Sequence, residues 1–305
     1  MRINQHMWKT LPLVLVCLLL PTPPAGADQP LTKAQANMLL YNRLEDPKEV
    51  KRALAAGADP NFWPAYDIGV LPYYPHEDIV RRNTLVHAVY SSGLVPRHEP
   101  NYKFRRELDT AYMESLRLLL AAGARTDWVG KDGKTLLHMA TYTDGIRATN
   151  HRLIALLFEH GAPYRYSKVH ATPLIGHLSR ADIIGPEDYG RVSDYWRSIE
   201  LMLENGAVET INVADKHGET ALVHAFSADA RSVRMLLEAG ADPNRGPISS
   251  WDERDGTVAT PLAALSLYER KCEGWVKKKR GLCRPGWKRR FKKIRKVLVK
   301  FGARE

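Results

Sequence analysis

Cysteine is scarce in this chain: Cys17, Cys272 and Cys283 are the three among 305 residues. So few exclude a disulfide-dense mini-protein and a zinc cluster built from cysteines alone. Long apolar runs are scarce too. Past the N-terminus none approaches the roughly 18 residues that a membrane-spanning helix needs, which excludes a polytopic membrane protein. Catalytic signatures are missing. No G-x-S-x-G elbow and no H-E-x-x-H occurs, and His98-Glu99 sits among prolines without ligand spacing. Gly133-Lys134-Thr135 ends like a phosphate-binding loop, but Trp128 stands where its first glycine must be. The reading is a non-enzyme without catalytic residues, cofactor or metal. What is present is globular composition, 44% hydrophobic and 26% charged with a formal net charge of +11.

The N-terminus has the organisation of an export signal. Arg2 and Lys9 precede an apolar stretch from Leu11 to Leu20, followed by Pro21, Pro23, Pro24 and Ala25-Gly26-Ala27. Cleavage is expected after Ala27, so residues 1–27 form a signal peptide and the mature chain is exported to the periplasm, or alternatively secreted. A lipoprotein anchored at Cys17 is the competing reading, but Val14-Leu15-Val16 lacks the small residues that such a site requires. Uncleaved anchoring is the other alternative. In an oxidising compartment the remaining Cys272 and Cys283 are expected to pair, closing a short loop worth roughly 2–3 kcal/mol. Two buried free thiols are the alternative.

Two phrases recur along the rest of the chain. One ends a helix: Leu54-Ala55-Ala56-Gly57-Ala58-Asp59-Pro60-Asn61 returns as Leu237-Glu238-Ala239-Gly240-Ala241-Asp242-Pro243-Asn244, with shorter echoes at Gly123-Ala124, Gly161-Ala162, Gly206-Ala207 and Gly302-Ala303. Counting back from each of the first five glycines, positions −7, −4 and −3 are apolar, as in Leu116/Leu119/Leu120 and Val233/Leu236/Leu237, which places them on one helical face. Glycine then stops the helix, because the terminating residue takes positive φ. The second phrase starts a unit: Thr84-Leu85-Val86-His87-Ala88, Thr135-Leu136-Leu137-His138-Met139-Ala140, Thr172-Pro173-Leu174, Thr220-Ala221-Leu222-Val223-His224-Ala225 and Thr260-Pro261-Leu262. Threonine as N-cap with proline at the first helical position is a helix start. Asp132-Gly133 and His217-Gly218 before the threonine supply tight turns.

These phrases resemble the ankyrin repeat, whose signatures are T-P-L-H-x-A and G-A-D-P-N. Residues 135–140 match the first except at Leu136, residues 57–61 and 240–244 match the second, and Ile175 and Val223 stand where the family places histidine. The resemblance covers about residues 33–305. It implies an all-α solenoid of about six helix-pair units, near residues 33–61, 83–127, 132–164, 170–207, 217–244 and 258–305. His87 and His138 are then structural hydrogen-bonders, and His177 and His224 are offset from that position. A single pair cannot bury its apolar face, so neighbours stack and terminal units need a polar outer side, which Lys48, Lys51 and Arg52 supply at the first.

Insertions and charge distinguish this array from a bare scaffold. Phe62, Trp63, Tyr66, Tyr73 and Tyr74 lie among Pro64, Pro72 and Pro75 after the first unit, and Trp251 lies in a finger insertion at 245–257. Aromatics on proline-stiffened loops offer a partner large contact area at low entropic cost. Folding back over the array is the alternative. Residues 92–108 and 179–194 read as loops between helices. Residues 270–305 hold 16 Lys and Arg against Glu273 and Glu305, so nearly the whole positive balance lies in this C-terminal cap. Lys277, Lys278, Lys279, Arg280, Lys288, Arg289, Arg290, Lys292, Lys293, Arg295 and Lys296 form the candidate anion-binding set. Trp287, Phe291, Ile294, Leu298 and Phe301 recur at helical spacing and provide a docking face, while Arg295 takes the normally apolar −7 position and implies a shifted packing register. Solubility alone explains a polar cap but not one of a single sign.

The resemblance implies binding rather than chemistry. The expected function is capture of a protein partner in the envelope, with inhibition of a toxic enzyme there, as an immunity protein, its sharpest version. One alternative is an envelope-surface factor docking anionic lipid or polysaccharide through the basic cap. Another is a secreted, host-directed effector. The export signal counts against nucleic acid as the partner of the basic run, and the mature chain holds no transmembrane span.

Overall fold

A computed structural model describes residues 30–64, 84–92, 102–142, 151–179, 192–246, 248–249, 257–277 and 286–304. Within them the helices follow in pairs: α1 (Lys33–Asn42) and α2 (Pro47–Ala55), α3 (Thr84–Ser92) and α4 (Tyr102–Ala121), α5 (Leu136–Tyr142) and α6 (His151–Glu159), α7 (Pro173–Ser179) and α8 (Val192–Glu204), α9 (Ala221–His224) and α10 (Ala230–Glu238), α11 (Pro261–Lys277) and α12 (Trp287–Lys300). The odd-numbered helices pack each on the next to form one layer. In the other layer α2 packs on α4, α6 on α8, and α10 on both α8 and α12. One buried cluster runs from Ala36 to Leu298, which is how a stack of individually insufficient pairs acquires a core. The fold is an all-α helix-pair solenoid. Its strands among the described residues are β1 (Ile248–Ser249) and β2 (Thr257–Val258), an antiparallel hairpin within the finger of the last unit.

Local chemistry sets the helix ends. Thr32 and Gln35 form a reciprocal capping box on α1, Asp46 caps α2 with Pro47 behind it, and Asp229 caps α10 through the Ser232 N–H at 2.7 Å. At the far ends Gly57, Gly123, Gly161, Gly206, Gly240 and Gly302 all have φ between 75° and 106°. In five of these units the alanine after the glycine donates to the carbonyl five residues back: Ala58 to Ala53, Ala124 to Leu119, Ala162 to Leu157, Ala241 to Leu236 and Ala303 to Leu298. That bond pattern requires a left-handed residue at the glycine and satisfies carbonyls the helix leaves open.

The asparagine of the recurring phrase joins consecutive units. Asn61 Nδ2 donates to the Gly123 carbonyl at 3.1 Å, and its Oδ1 accepts from the Arg125 N–H at 2.8 Å. Asn212 repeats this with Gly240 and Asp242, and Asn244 with Gly302 and Arg304. Each amide thus caps the next helix end and fixes the chain two residues beyond it. Trp196 adds a further link, donating to the Asp229 cap at 3.1 Å while the Arg231 guanidinium lies 3.8 Å over its ring.

Two expectations take definite form. Helix α4 begins at Tyr102, so the loop expected at 92–108 ends early. Its breakers Gly93, Pro96 and Pro100 all precede the helix, and residues 102–108 contain neither glycine nor proline. The cap makes the same terminating bond at Ala303 as the other units and keeps Leu298 fully buried at −4, but its apolar face is turned by about one place, leaving Val299 at −3 56% exposed. Arg295 is held at −7 because Glu269 of α11 accepts from it at 2.7 Å and Ser266 at 3.0 Å, while Ile294 supplies the buried apolar group one place earlier.

Candidate binding surface

Between each helix end and the next helix start the chain makes a finger. Isolated bridges pair Val129 with Thr135, Ser167 with Ala171 and Ala214 with Thr220. Gly133 and Gly218 turn the tips with φ near 80°. In the first unit the Phe62 carbonyl accepts from the Thr84 N–H at 3.1 Å and the Thr84 hydroxyl at 3.3 Å. Phe62 and Thr84, on either side of the insertion, are thus joined directly.

The fingers are fastened by histidine. His138 Nδ1 accepts from the Thr135 N–H at 3.2 Å and lies 2.9 Å from the Thr135 hydroxyl, and its Nε2 faces the Ala171 carbonyl at 3.3 Å. That fixes the neutral tautomer with hydrogen on Nε2. Burial chiefly pulls its pKa down to about 4, against the Ala171 bond, with the charges of His170 and Lys134 pulling the same way as burial. His170 bonds to Asp132 of the preceding finger. Burial acts to raise the Asp132 carboxyl, yet the Lys134 N–H and His170 outweigh it and hold the carboxyl below its ordinary range.

Exposed large apolar side chains gather on these fingers. Trp63 is 47% exposed, Val129 41%, Tyr166 44% and Val169 64%. Trp63 and Val129 stand six residues after their helix-ending glycines, and Tyr166 five after its own. Val208, two residues past Gly206, is exposed as well. Phe62, beside Trp63, is half-buried. Of the other expected aromatics, Tyr66, Tyr73, Tyr74 and Trp251 lie outside the described residues. Val129, Tyr166 and Val169 were not legible as single residues, and their place between a terminating glycine and the next helix-starting threonine is the signal that marks them.

The basic cap divides by helix face. Lys288, Arg289, Lys292, Lys293 and Lys296 are exposed on α12, joined by Lys300, opposite the buried Trp287, Phe291, Ile294 and Leu298. Arg290 is half-buried, its guanidinium 5.0 Å from the Phe291 ring centroid, and Arg295 is engaged with Glu269. Lys277 ends α11, while Lys278, Lys279 and Arg280 lie outside the described residues. Cys272 is buried on α11 and disulfide-bonded, and Cys283 lies outside the described residues.

A third grouping gives His224 a role that its offset from the repeat pattern concealed. His224 Nε2 lies 3.1 Å from Asp215 Oδ2 and 3.5 Å from Glu219 Oε2. Glu219 Oε1 accepts from the Tyr268 hydroxyl of α11 at 2.6 Å. Burial acts to raise the Asp215 carboxyl, but the bond and charge of His224 and the N–H groups of His217 and Glu219 prevail and lower it. One nitrogen and two carboxylates here form a set able to hold a metal. Residues 1–27, expected to be an export signal, lie outside the described residues, and among the described ones no helix is long and apolar enough to cross a membrane.

No family model matches the sequence, and no curated protein is similar to it. Solved structures are. The ankyrin repeat protein EF0377 superposes with a TM-score of 0.50 at 17% identity, covering 87% of this chain and 98% of its own. An ankyrin repeat domain from Acinetobacter baumannii superposes at 0.49 with 18% identity, covering 90% of this chain and 100% of its own. Paired helices, glycine-terminated ends, bridged fingers and the likeness to EF0377 agree on one architecture: the chain folds as an ankyrin-repeat solenoid.

Proposed function

We propose that this chain is an exported, non-catalytic array that captures a protein partner along its finger edge. The carrying observation is the row Trp63, Val129, Tyr166 and Val169, apolar side chains left in solvent on successive fingers of a bonded scaffold. Isolated exposed apolar residues are ordinary, but several on successive fingers of one repeat edge offer a contact surface. Ankyrin folds generally serve as protein–protein interaction modules, and a preorganised scaffold loses little entropy on binding. Trp63 and Tyr166 are the anchors in this reading. An inhibitor or immunity role toward an envelope enzyme is its sharpest form, and the expected pairing of Cys272 with Cys283 would suit the oxidising compartment that residues 1–27 imply.

The test immobilises residues 28–305 and a Trp63→Ala/Tyr166→Ala variant, and exposes both to envelope extract at high salt. A protein held in stoichiometric amount by the parent and lost by the variant supports the reading. Equal retention by both overturns it. A host-directed effector would instead find its retained protein in host extract.

A second reading rests on the one-signed face of Lys288, Arg289, Lys292, Lys293, Lys296 and Lys300. It docks the array on anionic lipid or polysaccharide. Binding to phosphatidylglycerol vesicles should then fall steeply between low and physiological salt, and should fall again on Lys292→Glu/Lys296→Glu. Salt-independent binding counts against it.

A further inference from the structure

The finger of the fifth unit departs from its sibling in the third at three places, and all three meet at one point. Both fingers close by the same bonds. Gly130 N–H donates to the Lys134 carbonyl at 2.8 Å, and Asp215 N–H to the Glu219 carbonyl at 2.9 Å. The bridges Val129–Thr135 and Ala214–Thr220 match as well. Aligned on these bridges, Asp215, Glu219 and His224 correspond to Gly130, Lys134 and Met139. The third-unit finger therefore forms without any of the three side chains.

The move of the histidine has a visible cost. In the third unit His138 engages the Thr135 hydroxyl at 2.9 Å. In the fifth, the imidazole sits one residue later and so about 100° further round the helix. Among the described residues the buried Thr220 hydroxyl has no hydrogen-bond partner, and it makes no cap bond to α9. The imidazole is directed instead at two carboxylates. Asp215 is locked in place, since its Oδ1 accepts from the N–H groups of His217 at 2.8 Å and Glu219 at 3.0 Å while Oδ2 faces His224. Tyr268, from the next unit, orients Glu219 from behind.

We propose that Asp215, Glu219 and His224 form a binding site for a divalent transition metal of the zinc class. Zinc takes imidazole nitrogen and carboxylate oxygen at roughly 2.0–2.2 Å, which places tetrahedral donors roughly 3.3 Å apart. His224 Nε2 stands at 3.1 and 3.5 Å from the two carboxylate oxygens, so its spacing to each is already that of a ligand set. All three donor atoms lie within 4.8 Å of one another. The side chains of Glu219 and His224 are 3% and 8% exposed, so two carboxylates and an imidazole meet in a largely dry place, where a dication is held strongly. Tyr268 acts as the outer-shell group that fixes a ligating carboxylate. Calcium is disfavoured, because it seeks six to eight oxygens. Because Tyr268 belongs to α11, a bound ion fastens the fifth finger to the basic cap.

Tag-free residues 28–305 are titrated with ZnCl2 by calorimetry and with CoCl2 by visible absorption, beside Glu219→Gln and His224→Gln. Expected are one equivalent of Zn2+ at micromolar affinity or better, a visible cobalt band displaced by zinc but not by calcium, and at least tenfold weaker binding in each variant. A rise in melting temperature with zinc accompanies binding in the parent only. Either variant with unaltered helical circular dichroism suffices if the other misfolds. Absence of saturable zinc binding in the parent overturns the proposal, and so does unchanged affinity in a folded variant.

Discussion

Acid should loosen the third finger through His138. Its imidazole titrates at about 4 in the folded chain against an ordinary 6.5, because burial penalises the charged form. Between those values the unfolded chain binds a proton that the folded chain does not. The folded pKa is depressed, so stability is fully present above the unfolded pKa and is lost as pH falls through the folded one. Linkage over this shift gives a loss of about 2 kcal/mol between pH 7.5 and pH 5, approaching about 3 kcal/mol below pH 4. Asp132 also has a lowered pKa, but its contribution disappears only as pH falls below the ordinary carboxylate range, outside this window. Urea unfolding at both pH values, for the parent and His138→Gln, isolates the effect. Glutamine retains an acceptor for the Thr135 N–H and does not titrate. The parent should lose about 2 kcal/mol more than the variant over this interval, and the His138 ring signal should titrate near 4 by NMR. Parallel pH profiles, or a ring titrating near 6.5, would refute the argument.

Asn244→Ala removes two bonds that fasten the cap to the fifth unit, to the Gly302 carbonyl and from the Arg304 N–H, and should cost about 1–2 kcal/mol while making α12 more susceptible to trypsin. Unchanged proteolysis would show that the cap is held elsewhere. Gly246→Ala should destabilise the last finger by about 2 kcal/mol, since a Cβ there would meet the Ala259 carbonyl oxygen at 1.9 Å; a neutral effect in thermal melts would disprove the close approach. Cys272→Ser should lower the stability of oxidised protein by about 2–3 kcal/mol if Cys283 is its partner, with no further loss on adding reductant.

The fold was legible because its signals are local and recur. A glycine after an apolar face stops a helix, a threonine starts one, and six pairs in order leave few alternatives. What the recurring asparagine does was not legible. Asn61 and Asn244 mark the motif in sequence, but their partners lie about sixty residues away, across insertions whose lengths the sequence does not convert into distance. The cap hid its partner for a related reason. Arg295 at an apolar position signals a turned face, but Glu269, which neutralises it, lies 26 residues earlier.

The candidate sites show why a repeat hides function and also how it can be made to show it. Read singly, His224 is a misplaced structural histidine, Glu219 a turn residue and Val129 an unremarkable valine. Read against equivalent positions in the other units, each departs from what its finger needs in order to fold. The third finger closes without an acid at the Glu219 position and supports its threonine with a histidine one place earlier. Because every unit solves the same folding problem, a residue that no sibling requires is freed from structural explanation. Convergence then separates function from drift: random departures should scatter over the surface, whereas Asp215, Glu219 and His224 meet within 4.8 Å, and Trp63, Val129 and Tyr166 all lie five or six residues past a terminating glycine. The same comparison assigns Arg295 to packing, since its departure ends in a complete ion pair with Glu269, and leaves the exposed Lys292, Lys293, Lys296 and Lys300 of α12 as the charged surface open to a partner, while Lys288 pairs with Glu273 of α11.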